Sequence, residues 1–116
     1  RMNMMETTWI EIGALEDVPR NGARVLKTRE GCIAVFRTAN DDVFALDDKC
    51  PHKGGPLSQG IVHGTAVTCP LHNWVISLDS GTAMGADEGR VATYRVRVER
   101  GRIFIDVTAR GISAAA

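Results

Sequence analysis

The sequence predicts an all-β fold, an antiparallel sandwich or barrel. Three observations point to it. Apolar residues recur at short, strand-like spacing through almost the whole chain, turn residues punctuate them, and a single short stretch has helical character. Residues 8–108 are expected to form one domain, with 1–7 and 109–116 as tails, since a chain of 116 residues has room for one core.

Taken in order, the expected strands begin with Thr8–Ile12. The helical hint follows at Ala14–Val18, where Pro19 and Gly22 end it. Next come Arg24–Thr28, then Cys32–Thr38, an apolar run in which Cys32 is read as ordinary core. Asn40-Asp41-Asp42 marks a turn into Val43–Asp47. Ala66–Cys69 and Val75–Leu78 follow, with Asp79-Ser80-Gly81 as another turn. The last two strands, Thr93–Glu99 and Ile103–Val107, alternate apolar and polar residues and flank the tight-turn pair Arg100-Gly101.

Composition excludes several classes. Lys+Arg and Asp+Glu are 14 each, so the formal net charge is zero, and no positive stripe is available to displace counterions from nucleic acid. No apolar run approaches the ~18–20 residues that span a bilayer, and no secretory leader is visible. A cytoplasmic protein with neither nucleic-acid nor membrane partner is expected. Three cysteines are a poor match to a secreted disulfide scaffold.

Two stretches interrupt the strand rhythm, at about 48–60 and 69–74. They read Cys50-Pro51-His52-Lys53-Gly54-Gly55 and Cys69-Pro70-Leu71-His72-Asn73-Trp74. Each offers one thiolate and one imidazole, a donor set suited to zinc or to iron–sulfur chemistry. Structural Cys₂His₂ zinc sites pair their cysteines in one short interval and their histidines in another. Here the ligand types are mixed within each loop, which suits a two-metal object gripped from both sides. Gly54 and Gly55 leave room for backbone N–H groups to approach bridging sulfides, and Pro51 and Pro70 stiffen the chain after each cysteine. Trp74 is expected to pack beneath the second loop. His63, with no cysteine beside it, reads as a turn histidine.

On these residues the chain resembles the Rieske family. The resemblance implies a Rieske-type sandwich or barrel with a small cluster-binding subdomain, and a [2Fe–2S] cluster held by Cys50, His52, Cys69 and His72. Rieske proteins of cytochrome bc complexes carry two further loop cysteines that form a disulfide. Gly55 and Leu71 stand in those neighbourhoods here, and a serine usual after the second histidine is also missing. A potential toward the low end of about −150 to +300 mV is therefore implied.

A narrower resemblance is to the small subunits of cytoplasmic assimilatory NAD(P)H-dependent nitrite reductases. It rests on Cys50–Gly55 followed by Pro56–Gly64, on Cys69–Trp74 and on Gly85-Ala86-Asp87-Glu88-Gly89; dioxygenase ferredoxins generally place a proline-bearing segment where this chain has Ala83–Gly89. Asn73 departs from it, standing where glycine is frequent. The resemblance implies a large partner subunit bearing flavin, a [4Fe–4S] cluster and sirohaem, which reduces nitrite to ammonia. This chain, with no G-x-G-x-x-G fingerprint, would be the electron-transfer subunit of that oxidoreductase and carry no catalytic residue. Two alternatives stand beside it: a freestanding ferredoxin feeding an aromatic-ring dioxygenase, and a module whose metal only holds the fold together.

Overall fold

The structure, a computed structural model, describes residues 9–29, 31–51, 55–70, 73–85 and 89–106. Ten strands run through them: β1 Trp9–Ala14, β2 Gly22–Thr28, β3 Gly31–Arg37, β4 Val43–Asp47, β5 Ile61–His63, β6 Ala66–Thr68, β7 Val75–Ser77, β8 Thr93–Tyr94, β9 Val96–Glu99 and β10 Arg102–Asp106. Short 3₁₀ turns occupy Leu15–Asp17, within the stretch with helical character, and Leu57–Gln59. Among the described residues no helix is long and apolar enough to cross a membrane.

All pairings are antiparallel and build three sheets, β1-β10-β9, β2-β3-β4-β8 and β5-β6-β7. The second sheet lies in the middle, because β3 is buried on both faces. Its alternate residues divide between two cores. Ile33 and Val35 join Val18, Ala45, Tyr94, Ile103 and Ile105 against the first sheet. Ala34 and Phe36 join Leu46, Leu57, Val62, Val67 and Ile76 against the third. A strand apolar on both faces reads as a continuous run, which is why residues 32–36 are Cys-Ile-Ala-Val-Phe.

Two departures from the sequence reading concern partnership. The expected strand Thr93–Glu99 is broken at Arg95: β8 pairs with β4 in the middle sheet, while β9 pairs with β10 in the first. β5 lies where the pattern suggested only a turn, so His63 is a strand residue, its Nε2 2.7 Å from the Thr68 hydroxyl. Cys32 corrects a third expectation: read as ordinary core, it is half-buried near the start of β3 and lies outside both cores.

Hairpin chemistry sets the registers. Arg100 and Gly101 both have positive φ, 52° and 76°, and join Glu99 to Arg102 as a two-residue turn of the type whose twist suits hairpins. The third sheet lies wholly between β4 and β8 in the chain. The two ends of that excursion sit side by side, with Leu46 opposite Thr93 and the Asp47 N–H donating to the Ala92 carbonyl at 2.9 Å.

Candidate metal centre

The two cysteine loops leave the third sheet and its approach at one end. The first follows β4. The second is the β6–β7 connection, from Thr68 to its register partner Val75. Each is closed in the same way. The Cys50 N–H donates to the Gly55 carbonyl at 2.7 Å, and the Cys69 N–H donates to the Trp74 carbonyl at 2.6 Å. In both cases the acceptor lies five residues beyond the cysteine, so the loops are matched in length as well as in their Cys-Pro start. Both cysteines are buried, with relative exposures of 2% and 0%, and both belong to the core that Phe36, Leu57, Val67 and Ile76 build. None of the three cysteines forms a disulfide.

Second interactions hold each loop. The Asp48 carboxylate accepts the Ser58 N–H at 2.7 Å and the Ser58 hydroxyl at 2.8 Å, fixing the start of the first loop to its return. In the second loop Asn73 has φ 59°, a left-handed conformation that glycine and asparagine tolerate and most side chains resist. That explains why glycine is frequent there and why asparagine can replace it. Trp74 packs half-buried against the core under the loop, where the sequence placed it.

A third segment touches both loops. Gly89, at φ 149°, sits so close that a Cβ built on it would lie 3.1 Å from Cβ of Pro51 and 3.4 Å from Cζ3 of Trp74. Its carbonyl accepts the Ala83 N–H at 2.9 Å, and Arg90 bridges to Thr82, so the segment is hydrogen-bonded to residues 82–83, which in turn lie beside β7. Nothing in its local sequence announces that contact, which depends on chain brought together by the fold.

Of the predicted site residues, Cys50 and Cys69 are thus brought to one core, and Gly55 is bonded to Cys50. Gly55 is buried and its observed part is to close the first loop through its carbonyl. His52, Gly54 and His72 lie outside the described residues. The donor set fits an iron–sulfur cluster, because two buried thiols start matched, backbone-clamped loops facing the same core.

A family model for the Rieske-like [2Fe-2S] domain matches residues 8–106. The chain belongs to the Rieske family. Its cofactor is accordingly a Rieske [2Fe–2S] cluster, and the chain is an electron-transfer protein of oxidoreductase systems. The ferredoxin component of the naphthalene 1,2-dioxygenase system from Pseudomonas putida is 30% identical over 105 residues, covering 90% of this Rieske chain and all of the relative. A solved structure described as a proposed NADPH nitrite reductase small subunit is 26% identical, with a TM-score of 0.75, covering 84% of this chain and 97% of that one. The carbazole 1,9a-dioxygenase ferredoxin of Nocardioides aromaticivorans IC177 shares the fold, with a TM-score of 0.77 at 21% identity, over 86% of this chain and 98% of the other.

Proposed function

We propose that this Rieske chain is the small, electron-carrying subunit of a cytoplasmic NAD(P)H-dependent nitrite reductase, acting in nitrate assimilation. Its domain is residues 8–108, and Cys50, His52, Cys69 and His72 are the cluster ligands, with Gly54 and Gly55 lining the first loop. The observation that carries the reading is the segment ending at Gly89. Gly85–Gly89 belongs to the stretch on which the resemblance to nitrite reductase small subunits rests, and Gly89 packs on Pro51 and Trp74. The resemblance to a solved protein described as such a subunit supports the same reading.

A [2Fe–2S] cluster bound there supplies one-electron transfer. The chain does the rest. Phe36, Leu57 and Ile76 exclude water from the cysteine side, and a drier surrounding strengthens every electrostatic interaction with the thiolates. The two backbone clamps fix each cysteine within its loop, which limits rearrangement between redox states.

A second reading, a ferredoxin serving a ring-hydroxylating dioxygenase, has its own support. Full-length relatives at 30% and 31% identity are ferredoxins of naphthalene and anthranilate dioxygenase systems. Purification of the tagged chain from its native host separates the two. Retention of a large subunit with sirohaem absorbance is expected. A lone red-brown protein that reduces a ring-hydroxylating oxygenase, and retains no such subunit, would favour the second reading.

A further inference from the structure

Charges on the sandwich sheets are largely matched with one another. Arg20 and Arg37 share Asp41, while Arg95, Arg97 and Arg102 pair with Asp106, Glu99 and Glu11. The metal end is different. A groove of about 550 Å³ opens against the first loop, with Cys50, Pro51 and Gly89 in its wall and Asp47, Lys49 and Arg90 as its charged residues.

The two signs are used differently in that groove. Asp47 accepts the Tyr94 hydroxyl at 2.5 Å, and neighbouring Asp48 is occupied by Ser58. Lys49 and Arg90 are exposed, and neither forms an ion pair among the described residues. Among the described residues of the groove and its margin, the acids are engaged inside the fold and the cations are left at the rim.

An exposed apolar side chain lies in the third-sheet row that flanks the second loop. Ile61, Thr68 and Val75 are register partners across the third sheet. The Ile76–Ala83 bridge and the bond from the Met84 N–H to the Val75 carbonyl at 2.8 Å extend that row to Met84, which is 47% exposed. The Thr82–Arg90 bridge places Arg90 one strand further on. Met84 thus lies in the row of Thr68 and Val75, which flank the second loop, and Arg90 in the row of Ser77, two positions along.

We propose that this end is the docking face for an acidic surface of the larger redox partner. Lys49 and Arg90 are its charged contacts and Met84 its apolar one. The partner's identity as the nitrite reductase large subunit rests on the function proposed above. Charge complementarity argues for the acidic sign. The chain has no net charge to attract a partner at long range, so orientation falls to local cations acting within a Debye length of about 8–10 Å. Because Cys50 lines the same groove, a partner neutralising Lys49 and Arg90 is brought against the metal loop.

The test measures association of the cluster-loaded chain with the sirohaem-bearing large subunit of the same organism, across ionic strength. Arg90→Glu is expected to slow association at low salt by ~10-fold or more and to flatten its salt dependence. Lys49→Glu should act in the same direction, and Met84→Asp should speed dissociation. Asp87 and Glu88, outside the described residues, carry the opposite sign, so the Asp87→Asn/Glu88→Gln variant should bind no more weakly than wild type. Iron content and visible spectrum must match wild type in each variant. If Lys49→Glu loses iron, Arg90→Glu decides alone. Wild-type association by Arg90→Glu, or weakening by the Asp87/Glu88 variant, overturns the docking face. Should the wild-type chain bind a dioxygenase's oxygenase component and no large subunit, the functional reading falls, and the same charge series on that complex decides the docking face.

Discussion

Asp41 illustrates how one residue carries several constraints. It sits in the β3–β4 turn with φ 68° and receives Nε of Arg20 at 3.0 Å and Nε of the buried Arg37 at 2.9 Å. Those hydrogen bonds, Arg20's foremost, hold its carboxyl below the ordinary carboxylate range. A carboxyl depressed in the folded state adds stability above its unfolded pKa of about 3.9, and that contribution fades as pH falls through the folded value. Asp41→Asn keeps a side chain that tolerates left-handed φ and removes only the charge. Its urea midpoint is expected to fall below wild type at pH 7, and the gap to close as the medium is acidified below the carboxylate range. At the metal end, Cys50→Ser or Cys69→Ser should abolish the visible spectrum and the ~2 iron and ~2 acid-labile sulfide per chain. Cys32→Ala should keep both, at a cost of about 1 kcal/mol in unfolding free energy. A coloured Cys50→Ser protein would refute the ligand assignment.

Among the elements, the segment around Gly89 carries the most specific consequence. An alanine there must hold φ near 149° and press a methyl group onto Pro51 and Trp74 at once. Gly89→Ala is expected to lower stability by about 1–3 kcal/mol and to release iron faster to a chelator. Unchanged release would mean the segment does not brace the loops. Strand pattern and strand partnership were unequally legible. Tyr94, Val96 and Val98 keep an unbroken alternation, so the sequence reads one strand where the chain crosses from one sheet to another at Arg95. Periodicity reports which face is apolar and is silent about which neighbour accepts the hydrogen bonds. β5 escaped notice for a related reason: it is three residues long, and its first residue, Ile61, is 70% exposed. The two Cys-Pro loops stand out in the sequence because the Cys and His spacing is local, whereas the contact of Gly89 with Pro51 and Trp74 is created only by folding.

At the scale of the molecule, β3 serves two cores at once, and the cores differ in what else supports them. The sandwich core rests on side chains of β1, β3 and β10, with no proposed metal ligand among them. The other includes Cys50 and Cys69 themselves. Removing iron with a chelator should therefore raise amide hydrogen exchange first at Cys50 and Cys69 and in residues 73–77. The β2–β3–β4 amides, paired strand to strand, should stay slow. Uniform acceleration across β3 and the metal loops would show instead that the two cores open as one unit.

The excursion from Asp47 to Ala92 leaves the middle sheet and returns to the adjacent strand, so its two ends meet as the ends of a hairpin do. Topologically the metal-bearing portion is a detour written into the β4–β8 connection, and a short turn would suffice to bridge its absence. Such a shortened chain would keep the β1-β10-β9 sheet and its core, while Ala23, Ala34, Phe36, Phe44 and Leu46 would lose their cover. Replacing the larger of these by polar residues would turn the outer face of the middle sheet into an ordinary sandwich surface. The electron-carrying half is thus a separable graft on its scaffold, and the scaffold's apolar face is the socket it leaves behind.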